Sequence, residues 1–385
     1  MIKELKINGI ILTGLILLLA TLSAFAVPSI SEITGTPGDG NSLTITGSGF
    51  FNHPHSAGRQ RPGWFTDFED QNIAPLSSLS LATAFDSETA NCMSVTSADK
   101  AEGTYSIRGD MSTECAAFSE AFIRFKSANG WGLPLSGTMV ASVHRKNTSA
   151  DLDENMKFWR LAEDDNDFYP NLWIGNAPSD GSQRYTEIGD LDNGTNQYFQ
   201  QYFSYVKPSS TWMQDALFCL RESTNYGTNG RIVSMQDETV AMDKNGMSFN
   251  FTGQDTGALN YFVIEDDISN ASTSGFSYMD FVYVDTISTC YVMFTDASTL
   301  GTSTKFWFQP YSAMETTEIT ITQKLADLGS NYDNVYVYAC EWGDECSSGV
   351  QLSTAGEGGG GGSSSTPVGK VQMKGTIRAQ GSVRL

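Results

Sequence analysis

The sequence predicts an all-β protein of two sandwiches, a large one inserted into a small one. Three observations predict this. Gly numbers 37, and the aromatic residues are 22 Phe, 15 Tyr and 7 Trp of 385, a composition suited to strands and tight turns. Short strand-like runs recur between polar turns, with no convincing long amphipathic helix among them. The strand runs near the two ends are each too few to close a domain alone. Hydrophobic residues are 40% and charged residues 17%, which supports a real core and excludes a disordered chain. Lys+Arg is 23 against Asp+Glu 44, a net charge of −21. So acidic a surface repels phosphate backbones, which argues against general nucleic-acid binding.

Residues 1–26 read as a secretory signal peptide: Lys3 and Lys6, an apolar run from Ile10 to Leu22, and the cleavage site Ala24-Phe25-Ala26. The run is short for a membrane anchor, and no other stretch suits a bilayer span. Cleavage removes Lys3, Glu4 and Lys6, leaving a secreted or cell-surface chain of −22. Two short strands follow, Ile30–Ile33 and Leu43–Thr46, around the turn Pro37-Gly38-Asp39-Gly40-Asn41. Pro28, Ile30, Gly35, Gly40 and the run Leu43-x-Ile45-x-Gly47-Ser48-Gly49-Phe50 resemble the opening of an IPT/TIG immunoglobulin-like domain. Phe51 stands where that family carries a further glycine, and the pattern stops after 23 residues. Lys305–Phe308, Glu318–Thr322 and Asn334–Cys340 resemble the later strands of the same domain type. The resemblance implies one TIG-like domain made of 28–50 plus 303–353, interrupted by residues 56–296.

Within 56–296 the strand-like segments are Ala121–Lys126, Thr138–Lys146, Asn155–Ala162, Asn171–Gly175, Tyr198–Val206, Trp212–Glu222, Arg231–Met235, Tyr261–Glu265 and Tyr278–Asp285. Lys157–Leu161 followed by Pro170–Gly175, then the Trp212 strand and Tyr278–Asp285, are similar to the concanavalin-A-like jelly rolls of secreted lectins, laminin-G-like domains and polysaccharide-degrading enzymes. The predicted fold is thus all-β, with a large concanavalin-A-like jelly-roll sandwich inserted in a small immunoglobulin-like (TIG) sandwich. Residues 354–369 form a Gly/Ser linker. The tail 370–385 alternates weakly and carries Lys370, Lys374, Arg378 and Arg384 with no acid. It reads as a solvated end or as a short strand for a protein partner's sheet edge.

Six cysteines, Cys92, Cys115, Cys219, Cys290, Cys340 and Cys346, follow the export signal, and an even count there suggests disulfides. Cys340–Cys346 brackets a five-residue turn and is the first expected pair. Cys92–Cys115 is the second, and Cys219–Cys290 follows by elimination. No CxxC occurs and only His53, His55 and His144 are available, which speaks against zinc.

Residues 121–150 contain Arg124, Lys126, Arg145 and Lys146 and no acid. Strand alternation puts Ile123, Phe125, Met139, Ala141, Val143, Trp159, Leu161, Leu172 and Ile174 toward the core. Arg124, Lys126, His144, Lys146, Arg160, Asn171 and Trp173 then face outward, Arg160 together with Phe158. If the strands share a sheet, these seven residues share a face. That face suits a glycan, because Trp stacks on a sugar, Asn makes paired hydrogen bonds and Arg forks onto carboxylate or sulfate. Catalytic signatures are thin: the Glu-x-Asp-x-x-Glu pattern, GxSxG, HExxH and a P-loop are all absent. Asp280 and Asp285, five apart, are expected on opposite faces. The acidic runs Asp151–Glu154, Glu163–Asp167 and Glu265–Asp267 are placed in loops, where Ca²⁺ is the candidate ion, and no cofactor is required. Sequons at Asn147, Asn193, Asn250 and Asn270 mark surface loops. The function predicted is a secreted or cell-surface carbohydrate-binding or adhesion protein for an acidic polysaccharide. The same residues leave open an extracellular polysaccharide lyase or glycoside hydrolase, and a structural surface or filament component. They favour a binding protein over an enzyme.

Overall fold

The computed structural model describes residues 27–50, 64–69, 93–110, 123–126, 132–148, 156–162, 172–176, 183–188, 199–204, 211–221, 223–224, 228–237, 239–249, 259, 261–268, 275–286, 289–342 and 345–352. The signal segment, Cys92, Cys115, Asp151–Glu154, Glu163–Asp167, the sequons at Asn193, Asn250 and Asn270, the linker and the basic tail lie outside the described residues. Among the described residues there are 23 strands and no α-helix. The strands pair antiparallel in four sheets.

The large sandwich has a six-stranded and an eight-stranded sheet. The first runs β11 (Phe199–Ser204), β10 (Gln183–Ile188), β9 (Leu172–Asn176), β8 (Met156–Ala162), β15 (Tyr261–Ile268), β6 (Ile123–Lys126). The second runs β14 (Thr239–Met247), β13 (Gly230–Gln236), β12 (Met213–Leu220), β7 (Thr138–Asn147), β16 (Phe276–Asp285), β5 (Ser106–Asp110), β4 (Met93–Thr96), with β3 (Trp64–Thr66) also on β16. Period-2 alternation delivers one apolar face from each. Phe125, Trp159, Leu161, Phe262 and Ile264 meet Met139, Ala141, Val143, Leu217, Ile232, Val282 and Val284 in one core. Trp159 and Phe125 stack on Phe262, each at 5.7 Å. Inside this core a fully buried ion pair joins Arg145 Nε to Asp215 Oδ2 at 2.6 Å. The Arg145 guanidinium lies 3.9 Å over the Phe158 ring. Removing one partner of such a pair leaves a buried charge and costs about 3–5 kcal/mol.

The small sandwich draws on both ends of the chain. β1 (Ser29–Gly35) and β2 (Ser42–Ser48) pair with β20 (Glu318–Thr322), which pairs with β19 (Tyr311–Met314). At Gly47 any Cβ would collide with the Ser29 carbonyl oxygen, so only glycine lets β1 approach there. The facing sheet runs β18 (Phe306–Gln309), β17 (Cys290–Thr295), β21 (Tyr336–Glu341), β22 (Glu345–Cys346), with β23 (Val350–Gln351) on β21. β17, expected inside the insertion, is thus the centre of this sheet. Its all-apolar run Cys290–Phe294 lacks the alternation that marks a half-buried strand, because β17 is buried on both faces.

The two sandwiches share a second core. Val140, Ala216, Phe218, Val233, Met235 and Tyr283, from the outer face of the eight-stranded sheet, join Tyr291, Phe308, Trp342 and the isoleucines Ile33, Ile45, Ile319 and Ile321. Phe308 stacks on Tyr291 at 4.1 Å and meets Tyr283 at 5.9 Å. Tyr311 donates to Asp285 Oδ2 at 2.6 Å across the same seam. The central strands β12, β7 and β16 of the eight-stranded sheet are therefore dry on both faces.

Several expectations change. Cys340 and Cys346 do form a disulfide. Cys219 and Cys290 are not bonded: Cys219 packs in the first core and Cys290 in the second, with the eight-stranded sheet between them. Glu265–Asp267 lies within β15, not in a loop. Asn147 ends β7 and is fully buried, so its sequon is no surface loop. Asp280 and Asp285 share a face, because the β7 register shifts between Asp280 and Tyr283, where Phe281 takes φ 52°.

Two outcomes follow from this packing. A chain of residues 28–50 linked directly to 289–352 exposes Tyr291, Phe308 and Trp342, each worth about 1.5–3 kcal/mol of burial. That loss is comparable to the whole stability of a small domain, about 5–15 kcal/mol. Its circular dichroism should show no cooperative melt, and a cooperative one would contradict a shared core. Peptide mapping after alkylation under denaturing conditions should recover Cys340–Cys346 linked and Cys219 and Cys290 as separate alkylated peptides. A peptide joining Cys219 to Cys290 would overturn the assignment.

Candidate functional site

The antiparallel register places Arg124, Arg160 and Trp173 in one line across the six-stranded sheet. Arg124 opposes Val263, Val263 opposes Arg160, and Arg160 opposes Trp173. The line continues through Glu187 to Gln200. Directly opposed residues share a face, and this is the face turned away from the first core. Lys126 opposes Tyr261 on the same face, two residues along. Arg160 is only 7% exposed and Val263 fully buried, so the middle of the line is not open to solvent.

The seven expected site residues do not all share this sheet. His144 and Lys146 belong to β7, in the eight-stranded sheet. Both lie on the side of β7 away from the first core, and there His144 meets the small sandwich and is buried. Lys146 Nζ pairs with Asp99 Oδ2 at 2.6 Å, and Asp99 Oδ1 accepts the Trp212 indole N–H at 3.0 Å. His144 stacks on Trp307 at 4.1 Å, with the Phe281 ring edge-on at 6.0 Å. Burial drives its pKa down to about 3, opposed by a hydrogen bond to the Phe306 backbone and by Asp215. The ring is neutral at pH 7 and supplies no cation for a ligand. Asn171 lies outside the described residues.

Phe158, expected outward beside Arg160, is instead buried in the first core against Trp159, ring centroids 4.7 Å apart. The cause is a bulge: the β8–β9 register shifts between Lys157 and Trp159. Adjacent residues of a bulge can turn to one side, which strict alternation forbids. Sequence reasoning also missed β10, whose Tyr185 opposes Tyr202 of β11 and lies two residues from Glu187, on the face of Trp173. The signal was present as the alternating run Arg184-Tyr185-Thr186-Glu187, flanked by polar turns.

The seam between the sandwiches holds a separate group of acids. Asp280, nearly fully buried, accepts backbone N–H groups of Ala101 at 3.1 Å, Glu102 at 3.2 Å and Phe281 at 2.8 Å. Burial pushes its pKa well above the usual carboxylate value. Glu69 accepts the N–H groups of Thr104 and Tyr105 at 2.7 and 2.9 Å. Among the described residues, no three His, Cys, Asp or Glu side chains are grouped to hold a metal ion. These carboxylates instead pin the turn before β5 through its amides.

No protein-family model and no curated protein matches the chain. Solved structures with partial likeness include an endo-β-1,4-glucuronan lyase from the fungus Trichoderma reesei, at 12% identity and TM-score 0.41, over 58% of this chain and 95% of that one. The alginate lyase Aly36B aligns at 9% identity and TM-score 0.37, over 60% and 98%. The cellulose-induced protein Cip1 aligns at 12% and 0.36, over 57% and 96%. Overlaps this loose assign neither an activity nor a ligand.

The buried imidazole gives the seam a pH dependence of known sign. The unfolded chain takes up a proton near 6.5 that folded His144 refuses until about 3. Stability from this group therefore falls as pH falls through that window, by about 1.4 kcal/mol per unit. Asp280, raised above 3.8 in the fold, acts oppositely and loses its contribution as pH rises. His144→Phe keeps a ring against Trp307 and removes the titration. Its urea midpoint should decline less steeply between pH 6.5 and 4 than the parent's, and equal slopes would refute the assignment.

Proposed function

We propose that this is an exported carbohydrate-binding protein. It takes an acidic polysaccharide on the outward face of the six-stranded sheet, and the small sandwich, read as TIG-like, serves as its rigid mount. The observation that carries the reading is the single cross-strand line of Arg124, Arg160 and Trp173. Two interstrand spacings, about 9–10 Å, separate the Arg124 and Arg160 positions. That interval suits anionic groups repeated along a glycan lying across the strands. Arginine offers a planar fork to a carboxylate or sulfate, and an indole offers an apolar plate to a sugar ring. In a chain of −21, cations gathered on one face also steer a polyanion to that face and away from the rest of the surface.

A panel of acidic and neutral glycans tests the reading. The parent should prefer acidic glycans and bind them more weakly as salt rises toward 1 M, where the Debye length is about 3 Å. Arg124→Ala, Arg160→Ala and Trp173→Ala should each weaken binding roughly tenfold or more, the worth of a charge-assisted contact. Each variant's fold is checked by its melt. Folded variants that bind as the parent does, or a preference for neutral glycans without a salt effect, would sink the proposal. Release of unsaturated sugar ends during the assay would instead reveal a lyase on the same face.

A further inference from the structure

The outer face of the eight-stranded sheet carries a cluster just beyond its contact with the small sandwich. Ile107 and Met279 point into the first core, so their neighbours Arg108 and Tyr278 point the other way. Tyr278 opposes Arg108 on one side and Lys146 on the other, a single line across β7, β16 and β5. Lys146 lies two residues past His144, the residue that stacks on Trp307. Lys146, Arg108, Phe276 and Trp212 are half-buried here, and Tyr278 is the buried floor between them.

Three rings and one uncompensated charge meet on this line. The Tyr278 ring lies 6.3 Å from Phe276 and 6.4 Å from Trp212. The Arg108 guanidinium lies 4.6 Å over Phe276. Asp99 neutralises Lys146 and also holds the Trp212 indole N–H. Arg108 has no such partner: among the described residues it makes no ion pair, and its Nε is buried without a hydrogen-bond acceptor. The cluster therefore keeps one net positive charge in a chain of −21. A buried donor without an acceptor costs stability, and a bound anion supplies the acceptor. Burial raises the Tyr278 pKa, against the pull of Arg108 and Lys146. Its hydroxyl stays protonated at neutral pH and is free to donate to the same anion.

A carboxylate carried on a ring with an apolar face fits these groups. The carboxylate forks onto Arg108 and takes the Tyr278 hydroxyl, while the ring lies against Phe276 and Trp212. A uronate sugar has that form, and for this class of ligand the inference rests on the glycan-binding reading above. We propose that Arg108, Tyr278, Phe276 and Trp212 form a second uronate site, on the side of the large sandwich opposite the Arg124–Arg160–Trp173 line. The two sites face away from each other across the first core. One molecule then holds two polysaccharide strands and bridges them.

Calorimetric titration of the full chain at low salt with a galacturonate trimer tests this, together with light scattering on long polygalacturonate. The parent should bind two trimers and cross-link the polymer. Arg108→Gln and Arg160→Ala should each leave one trimer bound and abolish cross-linking. Tyr278→Phe, placed in the Arg160→Ala chain, keeps the ring and should weaken the remaining site severalfold. Melts check that each variant folds. If Arg108→Gln leaves the stoichiometry and the cross-linking unchanged, the second site is wrong while the six-stranded face stands. If Arg160→Ala changes nothing and Arg108→Gln abolishes all binding, the six-stranded reading falls and the two-sided arrangement with it. If the trimer does not bind the parent, both readings fall together.

Discussion

The burial of both faces of β12, β7 and β16, at the centre of the eight-stranded sheet, is the constraint on which the rest of the molecule depends. One face closes the large sandwich with Met139, Ala141, Val143 and Leu217. The other closes onto the small sandwich with Val140, Phe218 and Tyr283. Strands buried twice cannot be polar on alternate positions without supplying partners for each polar group. The partners are present: Gln214 donates to Ser142 at 2.9 Å, and Tyr311 reaches Asp285. Arg231, at the far side, lies 4.6 Å over Trp342 and pairs with Asp243 at 2.9 Å. The seam is a core with polar fastenings, and the six-stranded sheet lies on the far side of the large sandwich's own core from it.

Two bulges then set which residues face which layer. In β16 the extra residue at Phe281 brings Asp280 and Asp285 to the seam and turns the Phe281 ring toward Trp307 at 4.6 Å and Phe65 at 5.2 Å. A positive φ at phenylalanine is strained, and the three rings packed on it hold it there. In β8 the extra residue at Phe158 sends that ring inward under Arg145. Each bulge changes the parity of every residue beyond it, so each trades local regularity for a particular pair of faces.

Charge placement follows from the same layering. Arg145 is spent inside the first core on Asp215, and Lys146 on Asp99 at its margin. Of the cations in the acid-free window, only Arg124 and Lys126 lie in the six-stranded sheet, on the face they share with Arg160. What looked in the sequence like one basic patch is therefore three environments, and only one of them belongs to the proposed ligand face.

Most strands were legible from alternation alone: β7, β8, β9, β12, β16 and β20 fall within two residues of where the runs place them. So were Phe125 of β6, the core residues of β7 and the Cys340–Cys346 bond, because turn length and period 2 are local properties. The strands β10 and β17 were not. β10 was passed over despite its short alternation, and β17 has none because both its faces are dry. The joint face of Arg124, Arg160 and Trp173 was half legible, since alternation orients residues within a strand but does not say which strands are neighbours. Only the tertiary structure separated His144 from Arg160, since β7 joins a different sheet and its outer face meets Trp307. Only it moved Phe158 inward and Lys157 to the register of Gly175. Periodicity describes one strand at a time, whereas sheet membership, bulges and the second layer are decided by contacts between segments far apart in the chain.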